Sequence, residues 1–421
     1  MNKQRFIIIG GGLIGVSTLY ELVSRGHEAT LFEAEDELGL GASFANGGML
    51  TPSMPDPWNG PGVAGHLMAS LFDPKSSMKL HLSQVPALAG WGLRFLAASG
   101  RDRHQATTLA NYRLCAKSVE RTRALTTQLA LQFDQSDAGT LKIFESAEAM
   151  AGPLELAERL SDQAGLRFEQ LDAAEAVAAE PQLAAIGERI AGALHFPDDG
   201  VGDARKFVLA LADEAREMGG TIKLSARVDT LLTRNGRIEG VASGGEEHRG
   251  EVILCSGVWS PELARQAGLP VPVKPAKGYS VSVSAGALGN RMPRIPVIDD
   301  AMHAAVVPIG DRLRFVGTAE FAGFNRRIDQ PRVDNLIALF ERVYPDLAGD
   351  LDMSQAKPWA GLRPMSAEGR PIIQKSPREG LWLNCGHGHL GWTMASGSAQ
   401  LLADLIDGKP NALAPEFRKF A

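Results

Sequence analysis

Three glycines and one acid near the N-terminus have the spacing of a dinucleotide-binding turn. Gly10, Gly12 and Gly15 form a G-x-G-x-x-G pattern between a β-branched run, FIIIG, and a helix-like run, STLYELVSRG. Such glycines allow a tight turn, close approach of the backbone to a pyrophosphate, and close packing of helix on strand. Glu33 ends the next predicted strand, where a carboxylate would accept a hydrogen bond from a ribose hydroxyl. We predict a bound dinucleotide, either NAD or FAD.

A second loop of small residues follows soon after the acid. Residues 39–48 read GLGASFANGG. A nicotinamide enzyme would usually continue here with further strand–helix units. A long loop of small residues instead favours a chain that runs along an extended cofactor such as FAD.

A third glycine-rich loop, NCGHGHLGWT, contains His387 and His389 and precedes a predicted helix. The two histidines are spaced i, i+2, with no further histidine or carboxylate motif beside them. Zinc sites need three or four ligands, so we predict no metal site. The loop is better explained as a backbone cradle for an anionic group.

Length and composition set the frame for these motifs. The 421 residues suffice for two domains, and 44% hydrophobic and 22% charged residues are typical of a soluble globular protein. A net charge of −6 gives no electrostatic basis for binding nucleic acid. Three cysteines without CxxC spacing predict no disulfide framework and a cytoplasmic location.

No signal peptide or transmembrane helix is predicted. The apolar residues 85–99 are interpreted as a buried helix, with peripheral membrane contact as the alternative.

The order of predicted elements indicates an α/β fold with two domains. It runs βαβ, helices, an αβ-meander, antiparallel strands and a final βα unit. The simplest assembly is a Rossmann-like FAD-binding domain built from the discontinuous segments 1–90, 191–262 and 358–421. An α+β substrate domain with an antiparallel sheet is inserted as residues 91–190 and 263–357.

Motifs along nearly the whole chain resemble those of one family. The chain resembles the FAD-dependent D-amino acid oxidase superfamily, most closely its bacterial D-amino acid dehydrogenases of the small-subunit type. The resemblance rests on GGGLIG, GASFANGGMLTPS, PWNGPG, VKPAKGYS, VILCSGVWS, AGLRPMSAEGRPII and NCGHGHLGWTMASGSA. Several of these stretches are similar to glycine and sarcosine oxidases as well. The resemblance implies FAD, and we expect it to be noncovalent, because no cysteine occupies the stretch where sarcosine oxidases attach it.

The resemblance also implies which residues contact the cofactor. The GHGHLGWT loop would face the flavin, where backbone amides at a helix start stabilise the negative charge of the reduced ring. The residues expected to contact FAD are Gly10, Gly12, Leu13, Ile14, Gly15, Glu33, Ala42, Ser43, Asn46, Gly47, Gly48, Met49, Leu50, Val228, Ser256, Gly257, Trp259, Gly361, Arg363, Gly388, His389, Leu390, Gly391, Trp392 and Thr393.

A carboxylate substrate calls for an arginine. Arg363, in GLRP, resembles the position where related amine oxidases anchor the substrate carboxylate; a flavin-facing arginine is the alternative. Tyr279 is a candidate for the same carboxylate or the flavin edge, and plain strand packing is the equal alternative. Trp58 is expected to cap the pocket, and His303 to line it or to lie on the surface. His387 is a flavin-edge residue or a proton-transfer residue.

The expected reaction is hydride transfer from the Cα of a D-amino or cyclic imino acid to flavin N5. The imine then hydrolyses to a 2-oxo acid and ammonia, and positioning requires no obligatory side-chain base. Electrons would pass to a quinone or a dye, and homo- or hetero-oligomers are compatible with the sequence. The alternatives are a glycine- or sarcosine-type oxidase that releases hydrogen peroxide, and a flavin-free NAD-binding protein.

Overall fold

The computed structural model describes residues 3–65 and 78–419. Its strands are β1 Arg5–Ile9, β2 Glu28–Phe32, β3 Met49–Leu50, β4 Met78–Leu80, β5 Thr140–Phe144, β6 Glu169–Leu171, β7 Gly192–Phe196, β8 Gly200–Val201, β9 Thr221–Lys223, β10 Val228–Arg234, β11 Arg237–Ser243, β12 Glu246–Arg249, β13 Glu251–Leu254, β14 Val273–Ser284, β15 Val297–Asp299, β16 Ala304–Ile309, β17 Arg312–Phe321, β18 Lys357–Ser366, β19 Ile372–Lys375 and β20 Leu381–Cys385. Its main α-helices are α1 Leu13–Ser24, α2 Val85–Ala97, α3 Arg101–Leu129, α4 Ala147–Ala164, α5 Ala173–Ala179, α6 Ala204–Glu217, α7 Ser260–Gln266, α8 Gln330–Val343 and α9 Gly391–Ile406.

A six-stranded, mainly parallel sheet carries the N-terminal turn. Its strand order is β19-β20-β13-β1-β2-β9, and β1 lies between β13 and β2. Strand β1 is apolar on both faces, as expected for a parallel strand covered on both sides. Phe6 and Ile8 pack into the core formed with helices α1, α3, α6 and α9. Ile7 and Ile9 pack into a second core with the three-stranded sheet β10-β11-β12.

A second, larger sheet is mainly antiparallel. Its strand order is β18-β14-β17-β16-β15-β5-β7-β6, and β4 pairs with β17. The long strands β14 and β17 alternate apolar residues toward a core that includes Val281, Val283 and Phe315. Helix α8 covers this core with Leu336 and Phe340. The predicted combination of a Rossmann-like sheet with an antiparallel substrate-domain sheet is confirmed.

Strand pairing adds detail to the predicted domain ranges, which stay a prediction. Strands β7 and β18 fall in segments assigned to the FAD-binding domain, and β4 does too, yet all three pair within the large antiparallel sheet. The sequence did not predict these pairings, because the partner strands lie far away in sequence and local patterns carry no information about them. Turns at Asn235-Gly236 and Gly244-Gly245 join β10 to β11 and β11 to β12.

Helix α2 lies in the apolar stretch that was interpreted as a buried helix. The helix exists, but only Trp91 and Phe95 among its residues are buried, and Leu93 is 72% exposed. The prediction of a buried helix is therefore wrong for most of its surface. The high apolar content of residues 85–99 predicted burial, but the rest of the protein covers only one narrow face of this helix. Within residues 3–65 and 78–419, no helix is long and apolar enough to cross a bilayer.

Candidate functional site

One cavity of about 790 Å³ brings the predicted motifs of both sheets together. Its walls come from the β1–α1 turn, the loop before β3, the middle of β14, strand β18 and the start of α9. Every predicted site residue lines this cavity except Gly15 and Leu50. Leu50 is buried in β3. A Cβ on Gly15 would lie 1.8 Å from the carbonyl oxygen of Gly10, so Gly15 allows the close packing of α1 on β1.

The N-terminal turn exposes a helix start to the cavity. Gly12, the N-cap of helix α1, has no side chain to satisfy the first amides, and of these the Leu13 N–H donates to Ser43. Gly10 has a φ of +114°, a conformation that favours glycine. Glu33 accepts hydrogen bonds from the backbone N–H groups of Gly11 and Glu35 while it lines the cavity. This arrangement suits a pyrophosphate at the helix and a ribose beside the acid.

The small-residue loop at 39–48 connects the two glycine-rich turns. Ser43 accepts a hydrogen bond from the backbone N–H of Leu13, at 3.1 Å, on the N-terminal turn. At the loop's other end, Gly48 accepts a hydrogen bond from the indole N–H of Trp392 at 3.3 Å. The backbone N–H of Thr51 donates to the hydroxyl of Thr393 at 3.1 Å. Both turns and this loop therefore line one continuous, elongated space.

The C-terminal loop offers a second exposed helix start. Helix α9 begins at Gly391 and has no side-chain cap. Its first turn lines the cavity together with Gly388 and Leu390. Two helix starts without side-chain caps that line one cavity fit a ligand with a diphosphate and a redox ring. The residues present therefore fit FAD.

The two histidines of this loop are held neutral. Burial lowers the pKa of His387 to about 3, and its ring Nε2 has no hydrogen-bond partner among the described residues. Burial also lowers the pKa of His389 to about 4, and the nearby Arg363 contributes in the same direction. The ring of His389 stacks on Trp58 with 5.2 Å between ring centroids. In the part of the chain that the structure describes, no group of three His, Cys, Asp or Glu could hold a metal ion.

These pKa values predict a pH profile without a histidine titration. Since both histidines have pKa values well below their usual range, they stay neutral from pH 5 upward. We therefore expect kcat/KM to show no inflection between pH 5 and 7 that belongs to either histidine. An inflection near pH 6.5 that disappears in His387→Asn would contradict this. An inflection near neutrality that disappears in Asp199→Asn would belong to that buried acid, whose pKa burial raises to about 7.

Arg363 is a cation in the cavity wall that has no carboxylate partner within residues 3–65 and 78–419. Burial lowers the pKa of its guanidinium to about 10, which still leaves it charged at neutral pH. Its Nη1 donates to the carbonyl oxygen of Thr318 at 3.0 Å, and the guanidinium lies 5.5 Å from the ring centroid of Trp58. Arg363 forms no salt bridge with any carboxylate of residues 3–65 or 78–419. A buried cation without a counter-ion is a site for an anionic ligand.

Tyr279 lines the cavity, but its hydroxyl is already engaged. The hydroxyl donates to Glu320 at 3.4 Å, and that carboxylate also forms salt bridges with Lys277 at 3.0 Å and Arg332 at 2.8 Å. Burial and the charge of Glu320 raise the pKa of Tyr279, so it remains protonated. Tyr279 therefore presents its ring to the cavity.

The structure adds residues that sequence reasoning missed. His303, one of the candidate residues, lies in an exposed turn after β15 and lines the cavity. Met54 and Arg326 line the cavity as well, although no motif pointed to them. Gly278, within the KGYS motif, leaves the space that the Arg363 guanidinium occupies. The pairing of β14 with β18 sets this contact, and neither strand's sequence alone reveals it.

Three features together are typical of a flavin-type oxidoreductase. They are a parallel dinucleotide-binding sheet, two helix starts without side-chain caps on one cavity, and an antiparallel sheet that lines the same cavity. Residues 5–405 match the family model described as DAO, FAD dependent oxidoreductase, and the chain belongs to this family. It is therefore an FAD-dependent oxidoreductase, as predicted.

Named relatives cover nearly the whole chain. The chain is 36% identical over 417 residues to a D-amino acid dehydrogenase of Paramagnetospirillum magneticum, covering 98% of this chain and 97% of that protein. It is also 36% identical over 418 residues to a D-amino acid dehydrogenase of Cereibacter sphaeroides, covering 98% and 93%. The resemblance stated from the motifs is confirmed.

Solved structures share the fold. A glycine oxidase from Bacillus cereus superposes with a TM-score of 0.76 at 21% identity, covering 100% of this chain and 99% of that one. An L-proline dehydrogenase from P. horikoshii gives a TM-score of 0.78 at 19% identity, covering 99% and 97%.

Proposed function

We propose that the protein is a D-amino acid dehydrogenase that oxidises D-amino or cyclic imino acids with noncovalently bound FAD. The observation that carries this proposal is Arg363, a half-buried guanidinium in the wall of the cavity without a carboxylate partner in the described chain. The names of the relatives that span the whole chain support the same substrate class.

The glycine-rich turns would hold the cofactor. The amides of the α1 start would bind its diphosphate, Glu33 its ribose, and the α9 start the negative end of its ring. The chemistry that bound FAD supplies is acceptance of a hydride from the substrate Cα, giving an imine that water converts to a 2-oxo acid and ammonia. Covalent attachment is not proposed, because Cys255 and Cys385 are buried and burial raises the pKa of each thiol.

The protein's own residues would bind and orient the substrate. Arg363 would pair with the carboxylate, and Trp58 and the ring of Tyr279 would form walls around Cα. The carboxylates that line the cavity are Glu33, Glu35, Asp229 and Glu262, which come from the end of β2 and from β10 and α7. No described carboxylate lines the cavity beside Arg363, so an ammonium group would find no counter-ion there. The amine would bind neutral, and no side-chain base would be required.

A substrate panel tests the proposal directly. We expect D-amino acids and cyclic D-imino acids to reduce a dye or quinone and the L-enantiomers to react at least about tenfold more slowly. The same panel in air measures hydrogen peroxide. Peroxide formation at the rate of dye reduction would favour the oxidase alternative. A preference for glycine or sarcosine over every D-amino acid would contradict the proposed substrate class.

We also propose that helix α2 contacts a membrane, where a quinone acceptor would be found. Leu93, on α2, and Leu82, in the turn before it, are 72% and 70% exposed, and Arg94 follows Leu93 on the chain. Exposed leucines near a basic residue are typical of a helix that lies on a lipid surface. We expect the protein to sediment with anionic phospholipid vesicles, and Leu93→Asp to weaken this binding about tenfold. Leu209→Asp, on α6, is the matched control; equal loss in both variants, or none in either, would reject this contact.

A further inference from the structure

We propose that Thr318 and Gly278 form a seat for Arg363, in which Thr318 positions the guanidinium through its backbone carbonyl. This inference rests on the proposed function, in which Arg363 binds the substrate carboxylate. It assigns a positioning role to a residue that belongs to none of the motifs of the chain and does not line the cavity.

The seat is a bulge between strands β14 and β17. Tyr279 pairs with Gly317, whereas Lys277 pairs with Glu320, so two residues of β17 face Gly278 alone. The first of these two residues, Thr318, has a φ of +59°. A bulge whose first residue is left-handed normally carries glycine there, because a β-branched side chain is strained in that conformation. Strain of this kind clusters at functional sites.

The left-handed conformation of Thr318 places its backbone carbonyl against Arg363. The carbonyl of Thr318 accepts a hydrogen bond from Nη1 of Arg363 at 3.0 Å instead of pairing in a regular ladder. On the opposite strand, a Cβ on Gly278 would lie 2.2 Å from the guanidinium carbon of Arg363. The absence of that Cβ and the turned carbonyl together fix where the guanidinium lies. Because a carbonyl is neutral, it orients Arg363 without cancelling the charge that an anionic substrate requires.

Buried contacts of Glu320 hold the C-terminal side of the bulge in place. Glu320, two residues after Thr318, forms salt bridges with Lys277 and Arg332 and accepts the hydroxyl hydrogen bond of Tyr279. Lys277 and Tyr279 flank Gly278 on β14, so Glu320 ties this side of the bulge to both neighbours of Gly278. The hydroxyl of Thr318 is buried and has no partner among the described residues. The backbone conformation, not the side chain, is therefore the functional feature.

The experiment compares substitutions in the flavin-loaded protein, with acetate as a probe of the carboxylate site. Gly278→Ala should raise the acetate dissociation constant and the substrate KM about tenfold to a hundredfold, because the added methyl displaces the guanidinium. The protein should still fold, since the obstacle is the end of a flexible side chain. Acetate binding is read from the change in flavin absorbance and does not depend on turnover. Gly286→Ala, where a Cβ meets nothing within 4 Å, is the control.

Two changes at Thr318 separate backbone from side chain. Deletion of Thr318 restores a regular ladder opposite Gly278 and should raise the same two constants, with kcat at saturation changed less. Thr318→Gly keeps the left-handed conformation available and should rescue binding to within about twofold of the native protein.

The outcomes distinguish the seat from the proposed function. If Gly278→Ala binds acetate as tightly as the native protein, the seat is wrong even when D-amino acids are oxidised. If Thr318→Gly loses as much affinity as Gly278→Ala, the side chain and not the carbonyl is responsible, and the inference falls. If no D-amino acid is oxidised but acetate binding follows the predicted pattern, the seat stands and the proposed function fails.

Discussion

Replacing Arg363 by alanine is expected to lower kcat/KM for a D-amino acid by about 30- to 5,000-fold. Removing one partner of a buried charge pair costs roughly 2–5 kcal/mol, and each 1.4 kcal/mol corresponds to a factor of ten. The loss should appear mainly in KM, because Arg363 binds the carboxylate and does not take part in bond breaking. Steady-state kinetics with a dye as acceptor measures both constants.

The same variant should keep its flavin and its stability. Arg363 is a half-buried cation without a carboxylate partner in the described chain, and burial lowers its pKa, so its removal relieves part of a desolvation penalty. The flavin absorption and the free energy of unfolding should therefore be maintained. Arg363→Lys is the matched comparison, because lysine retains the charge but not the bidentate geometry, and we expect an intermediate KM. An unchanged KM in Arg363→Ala would remove this residue from the substrate site.

Local sequence patterns predicted the N-terminal unit well because its determinants are local. The apolar run of β1, the glycines of the turn and the acid after β2 lie within one short stretch. Each glycine of the turn is required for a steric reason that follows from its neighbours in sequence. Gly15 is the clearest case, since a Cβ at this position would clash with the carbonyl of Gly10. The cradle of the C-terminal loop was predicted in the same way, from glycines that precede a helix.

The parts that escaped prediction depend on contacts between distant segments. No pattern in β7 or β18 shows that these strands join the large sheet, because their partners are far away in sequence. The bulge at Thr318 is defined by the register of two strands, and threonine is an unlikely residue for it. The engagement of the Tyr279 hydroxyl by Glu320 likewise required the fold.

The resemblance to family motifs predicted a contact between distant parts of the chain that local patterns could not predict. The prediction that two turns, one at each end of the chain, serve one cofactor came from the order of family motifs. In the structure these turns line one cavity, joined through hydrogen bonds of Ser43 and Trp392. Gly12 lies at the point where the first turn, the small-residue loop and the cavity meet.

Gly12→Val is accordingly expected to give colourless protein. A Cβ at this position already lies 3.1 Å from the hydroxyl oxygen of Ser43, and the two further methyl groups of valine must extend into the cavity or against that loop. They would occupy the space where a diphosphate approaches the amides of α1. We expect the flavin content, read from the visible absorption of the purified protein, to fall at least about tenfold.

A matched substitution separates loss of the cofactor from loss of the fold. Gly152→Val lies on an exposed face of α4, where a Cβ meets nothing within 4 Å, and it should leave the flavin content unchanged. Circular dichroism should show that Gly12→Val retains its helices, because the β1–α1 packing depends on Gly15 and not on Gly12. Full flavin content in Gly12→Val would mean that the diphosphate does not lie against this turn. The cradle at α9 would then have to hold FAD without it.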